Sequence, residues 1–164
     1  MQDLVEELTG LLESKNMKLA VAESCTGGLL STTLTHRPGA SKIFDCGFVT
    51  YSNESKIKSL GIPAQFIETH GAVSAEVAEL MARNLIEKSD ADLTVSITGI
   101  AGPDGGTPSK PVGLVFFGYA LKGGSSGSLS QNFPGKRNEI QTQAVVTALK
   151  HLITVLQKSE SSSV

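Results

Sequence analysis

Tryptophan is absent from the 164 residues, aromatic residues make up only 5%, and there are just two cysteines, Cys25 and Cys46. Two thiols fit neither a disulfide framework nor a zinc site, and they read as reduced cysteines of a cytoplasmic protein. No apolar run approaches the ~20 residues that cross a bilayer, and Met1 to Glu7 is acidic where a signal peptide would be basic. No membrane partner is expected. An excess of positive charge is missing too: 14 Lys and Arg stand against 16 Asp and Glu, for a formal net charge of −2 and a pI near 5.9. That balance leaves no basic footprint for nucleic acid. Gly-x-Gly-x-x-Gly, the Walker lysine pattern and His-Glu-x-x-His are also absent. Neither a metal nor a cofactor is expected.

What is present is an ordinary globular composition, 40% hydrophobic and 18% charged, with a mean hydropathy of +0.04. The length suits one domain on a prior of roughly 150 residues each, long enough to bury a core without staples. That domain is expected over residues 1–158, with 159–164 as a disordered, frayed tail. The 17 glycines fall in clusters that punctuate alternating patterns. Leu4, Leu8 and Leu11 have helical spacing, and Leu19 to Ala22 reads as a short buried strand. Leu29 to Thr35 predicts a helix and Ile43 to Tyr51 a strand, followed by a short helix from Asn53 to Leu60. Pro63 opens another helical turn, and Ser74 caps the strongest helix, with Val77, Leu80, Met81, Leu85 and Ile86 on one stripe. Leu93 to Ile97 and Gly113 to Leu121 read as strands. The turn Gly123 to Gly127 returns Leu129 to Phe133 antiparallel. A last helix carries Val145, Leu149, Leu152 and Leu156. This alternation predicts an α/β domain with a mixed, mostly parallel sheet.

In such a sheet the ligand crevice lies at the carboxyl ends of the strands. Three loops follow strand ends here: Ser24 to Gly28, Tyr51 to Lys56, and Thr98 to Gly106. Ser24 stands between a strand and a glycine pair, so it can act as a nucleophile beside backbone N–H groups near Thr26, Gly27 and Gly28. Equally, Ser24 or Thr26 can simply cap the helix. Cys25 competes as nucleophile, because helix N-termini lower thiol pKa values, yet it also fits as a small apolar packing residue. A serine needs a base. His36 and His151 read as surface residues, and His70 before Gly71 is a loop histidine. Lys56 sits just past a strand end, where desolvation would free its amine to act as a base; from the residues alone the solvated helix lysine is the reading that prevails. The run Gly99, Gly102, Gly105, Gly106 can cradle a phosphate or be an irregular connection.

Five segments occur in order: Glu23-Ser24-Cys25-Thr26-Gly27-Gly28, Tyr51-Ser52-Asn53-Glu54-x-Lys56, His70-Gly71-Ala72-Val73-Ser74, Thr98-Gly99-Ile100-Ala101-Gly102-Pro103 and Lys110-Pro111-Val112-Gly113. Together they resemble the C-terminal domain family of competence-damage-inducible proteins, over about Leu19 to Leu152. The resemblance implies a three-layer α/β/α domain, cytoplasmic and often a homodimer, without metal or cofactor. It implies deamidation of nicotinamide mononucleotide to nicotinate mononucleotide and ammonia, in pyridine-nucleotide recycling. The family's catalytic serine and lysine map onto Ser24 and Lys56, with Tyr51 in support. The implied substrate contacts are Thr26, Gly27, Gly28, Asn53, Thr98, Gly99, Gly102 and Arg137, the last for phosphate. One departure is visible. A late Gly-Asp-Arg motif reads Gly135-Lys136-Arg137 here, and Gln141 stands where a second arginine is expected. A non-catalytic nucleotide-binding module on the same fold is the competing reading.

Overall fold

The computed structural model describes residues 1–161. The chain runs α1 (Gln2–Ser14), β1 (Leu19–Glu23), α2 (Leu29–Thr35), a 3-10 turn (Ala40–Lys42), β2 (Phe44–Val49), α3 (Asn53–Leu60), α4 (Ala64–His70), α5 (Ala75–Glu87), β3 (Leu93–Gly99), β4 (Leu114–Leu121), β5 (Ser126–Asn132) and α6 (Arg137–Ser161). One five-stranded sheet has the order β2-β1-β3-β4-β5. β1 pairs in parallel with both β2 and β3, while β4 is antiparallel to β3 and to β5. Four strands therefore point one way and β4 alone is reversed. The mixed, mostly parallel sheet expected from the sequence is the one found.

Alternation along the strands builds the three layers. Leu19 and Val21 of β1, with Leu93, Val95 and Ile97 of β3, join a core completed by Leu8 and Leu12 of α1, Leu30 and Leu34 of α2, and Leu149 and Leu152 of α6. Ala20 and Ala22 point to the other face, where Leu60, Val77, Met81 and Leu85 cover them. β3 is the central strand, and its second face carries hydroxyls rather than hydrocarbon. Thr94, Ser96 and Thr98 donate to the carbonyls of Ala82, Ala78 and Ala72, so the side chains satisfy themselves on the segment lying over them.

This seam brings α5 unusually close to the sheet. A Cβ on Gly118 of β4 would stand 2.0 Å from the Ala78 carbonyl oxygen and 2.6 Å from Ser96 Oγ. Gly118→Ala is expected to destabilise the protein by about 2–3 kcal/mol, since a rigid backbone carbonyl cannot yield as a side chain does. Denaturant unfolding checks this; an unchanged midpoint would show that α5 can lift off the sheet.

Two expectations change along α6. It begins at Arg137, well before its apolar stripe, because Ile140 already reaches the core. It also continues through Ser159 to Ser161, three residues placed in the frayed tail; the rest of that tail lies outside the described residues. His151, expected at the surface, is half-buried with its ring edge-on to Tyr119 at 5.1 Å. Burial lowers its pKa, with Lys158 adding to the effect. Among the described residues, no helix is long and apolar enough to cross a membrane.

Candidate active site

The chain enters at β1, crosses to β2 on one side and returns to β3 on the other, so β1 and β3 flank a topological switch point. Ser24 and the glycine loop from Gly99 leave their strands there. The register aligns Glu23 with Val49 and with Ile97. Thr50 N–H donates to the Glu23 carbonyl at 2.9 Å, and Ser24 N–H donates to the Ile97 carbonyl at 2.9 Å. Three strand ends are thus tied together at one point.

From β2 the chain turns into α3 through Ser52, whose hydroxyl caps the helix by accepting from Ser55 N–H. Lys56 follows one turn later, and side chains on a helix lean toward its N-terminus. That lean carries the Lys56 amine back over the strand ends. Nζ lies 3.1 Å from Ser24 Oγ and 2.8 Å from the Thr50 carbonyl oxygen. Lys56 is only 1% exposed and has no carboxylate partner among the described residues. Desolvation pushes its pKa below the ordinary 10.5, opposed in part by Cys25. A neutral amine has two N–H donors and one lone pair. Directing an N–H at Thr50 leaves the lone pair for the Ser24 hydroxyl proton.

The surroundings of Cys25 disfavour a thiolate. Burial pushes its thiol up to about 12, overcoming its own backbone N–H, Lys56 and Arg137, so it stays protonated at neutral pH. Cys46 on β2 is held at about 11 by burial and by Asp45.

The turn after Ser24 differs from the expected oxyanion cradle in one respect. Glu23 is completely buried, and its carboxylate accepts from Thr26 Oγ1 and Leu30 N–H on one oxygen and from Ser31 N–H and Oγ on the other, all at 2.7–2.9 Å. It occupies the N-terminus of α2, which is therefore closed to a substrate anion. Gly27 N–H is spent on the Ser24 carbonyl at 3.0 Å, so Gly27 cannot donate to an oxyanion as proposed from sequence. The N–H groups of Thr26 and Gly28 donate to nothing among the described residues. Gly27 and Gly28 have φ of +58° and +101°, which lets the chain double back above Ser24.

A cavity of about 240 Å³ opens on this point, lined by Ser24, Cys25, Tyr51, the loop Gly99 to Gly102, Asp104, Gly105 and Arg137. Arg137 stands on the first turn of α6 and spans the mouth: Nη1 donates to the Gly102 carbonyl and Nη2 to Tyr51 Oη, each at 2.7 Å. Beyond Arg137 a second cavity of about 650 Å³ is bordered by Lys136, Asn138 and Gln141. The structure thus brings together Ser24, Lys56, Tyr51, Gly99, Gly102 and Arg137. Thr98 is spent on Ala72, Asn53 is exposed on the first turn of α3, and Thr26, Gly27 and Gly28 stay in the turn after Ser24, so none of these five is among the residues lining the cleft. His36 is exposed; His70 packs on Phe66 and faces Glu76 at 3.9 Å. Gln141 donates to the Cys25 carbonyl at 2.9 Å, fastening α6 to the turn after β1. Among the described residues no group of three or more His, Cys, Asp or Glu is placed to hold a metal ion.

Sequence reasoning quoted Glu23 within a motif and Gln141 in place of an expected arginine, and missed the structural roles of both. Glu23 had a usable signal, an acid ending a buried strand before a Ser/Thr-rich helix start. Gln141 had none, because its partner lies 116 positions away.

The family model for the CinA C-terminal domain matches residues 1–156. The chain belongs to that family. A CinA-like protein of Chlorobaculum tepidum is 56% identical over 119 residues, 73% of this chain and 28% of that protein. A CinA-like protein of Dictyoglomus thermophilum is 44% identical over 149 residues, 91% of this chain and 36% of that protein. The chain therefore spans about a third of the length of the curated relatives it matches. Solved structures in the CinA family match nearly end to end. The competence/damage inducible protein CihA from Agrobacterium tumefaciens is 38% identical with a TM-score of 0.91, covering 95% of this chain and 94% of that one. The CinA superfamily protein from Escherichia coli is 36% identical with a TM-score of 0.89, covering 94% and 89%.

Proposed function

We propose that this CinA-family domain is an amidohydrolase that deamidates nicotinamide mononucleotide, releasing nicotinate mononucleotide and ammonia. The observation carrying this reading is the completely buried Lys56 amine, 3.1 Å from Ser24 Oγ and without a counter-ion. A nucleotide-binding module has no use for so costly a burial, whereas acyl transfer needs an amine that gives up its proton.

Lys56 Nζ accepts the Ser24 hydroxyl proton as Oγ bonds to the carboxamide carbon. The oxyanion is met by Thr26 and Gly28 N–H groups. Lys56 then passes the proton to the amide nitrogen, the C–N bond breaks, and ammonia leaves. Water, deprotonated by the same amine, attacks the acyl carbon and restores Ser24. Tyr51 holds Arg137 in place, and Arg137 meets the phosphate with its remaining N–H donors. The test is ammonia release from nicotinamide mononucleotide by the purified protein. No release above a Ser24→Ala blank would reject the reading.

The state of Lys56 sets the pH dependence. The amine works only when neutral, so kcat/KM is expected to rise with pH through the pKa of Lys56. It should level off below 10.5, because burial moves that pKa down. Stability follows the same sign. Between the lowered folded pKa and 10.5 the unfolded chain binds more protons, so stability rises with pH across that window. A rate still climbing at pH 10.5 would show an amine that is not desolvated.

A further inference from the structure

The lining of the 240 Å³ cleft contains one cationic side chain, Arg137, and one carboxylate, Asp104. They are not paired with each other. Arg137 is bound to the Gly102 carbonyl and to Tyr51 Oη, and Asp104 makes no hydrogen bond or ion pair among the described residues. Asp104 sits between Gly102 and Gly105, whose φ values of +78° and +92° turn the loop over the cleft. A carboxylate is an acceptor only, so it attracts a cation or a hydroxyl and repels an anion. The cleft is therefore bipolar, and Ser24 belongs to the same lining. We infer that Asp104 recognises the positive charge of an N-substituted pyridinium ring, so that the site prefers ring-alkylated carboxamides over the neutral free amide.

The inference deepens the proposed amidohydrolase reading and rests on it. A pyridine mononucleotide is a dipole, with a cationic ring and an anionic phosphate, and its carboxamide is a substituent of that same ring. Placing the carboxamide carbon at Ser24 Oγ keeps the ring charge inside the cleft, while the phosphate extends toward Arg137. The ring cation persists through acyl transfer. Asp104 thus strengthens ground state and transition state alike, and its loss raises KM with little change in kcat. At the separations allowed by a partly solvated cleft, the attraction corresponds to about a tenfold preference that fades with salt.

The experiment titrates 1-methylnicotinamide, a ribose-free cation, and neutral nicotinamide into the protein carrying Ser24→Ala, which leaves either amide intact. Preference for the cation is expected, falling about tenfold with Asp104→Asn, retained in Asp104→Glu, and shrinking as salt is raised. In the otherwise wild-type protein, Asp104→Asn should raise KM for nicotinamide mononucleotide by a similar factor. Equal binding of cation and neutral amide by the Ser24→Ala protein would overturn the inference, as would equal weakening of both by Asp104→Asn. A loss confined to nicotinamide riboside would show that Asp104 reads ribose hydroxyls, which also overturns it. Failure of the amidohydrolase reading is separately visible as absent ammonia release, whereas charge selectivity is read from binding alone.

Discussion

Ser24→Ala and Lys56→Ala are each expected to lower kcat for amide hydrolysis by roughly 10⁴–10⁶-fold, with the double variant little worse than either single one. The non-additivity follows from the geometry. Ser24 Oγ and Lys56 Nζ are hydrogen-bonded at 3.1 Å, and the other contact of Nζ among the described residues is a backbone carbonyl, which has no proton to exchange. Lys56→Arg should be as inactive as Lys56→Ala, because guanidinium stays protonated and has no lone pair to offer. Lys56→Met fills the buried space without the amine and separates loss of chemistry from loss of packing. Cys25→Ala should keep substantial activity, since a thiol pushed up to about 12 supplies no thiolate. Ammonia-release kinetics and unfolding midpoints on the same preparations decide the matter. Activity in Ser24→Ala with inactivity in Cys25→Ala would overturn the assignment.

The layers of this fold were legible because they rest on local periodicity. Strand and helix boundaries fall within one or two residues of the sequence reading wherever apolar spacing is regular, as along β1, α3, α5 and β3. The first turns of α6 were not, because Arg137 to Gln143 is polar apart from Ile140 and looks like a loop until tertiary contacts are known. Ser24 could be suspected from its place between a strand and two glycines. Lys56 looked like any helix lysine until the resemblance singled it out, since its burial depends on the strand-end segments that carry Ser24 and Thr50. The turn after Ser24 was legible only in part. Sequence shows that Gly27 and Gly28 permit a tight turn, but only coordinates show that Gly27 N–H is already spent and that a carboxylate closes the helix behind it.

That carboxylate leads to the second large effect. Glu23→Ala is expected to destabilise the protein by about 3–5 kcal/mol and to lower kcat/KM by roughly 10²-fold. Four donors converge on Glu23, two of them backbone N–H groups of Leu30 and Ser31 that cannot turn away. Alanine strands them beside a void, and the Ser24 to Gly28 turn loses the anchor that sets its direction. The loss of rate should appear in kcat, because the turn carries Oγ and the oxyanion donors rather than the phosphate contact. Glu23→Gln should be intermediate. Its amide oxygen can serve one pair of donors, while its NH2 faces a backbone N–H it cannot bond and a hydroxyl that must rotate to accept. Chemical unfolding and steady-state kinetics on both variants provide the check. If Glu23→Ala keeps wild-type stability and kcat, the carboxylate is not what holds the nucleophile turn, and Ser24 must be positioned by the strand-end hydrogen bonds from Ser24 and Thr50 alone.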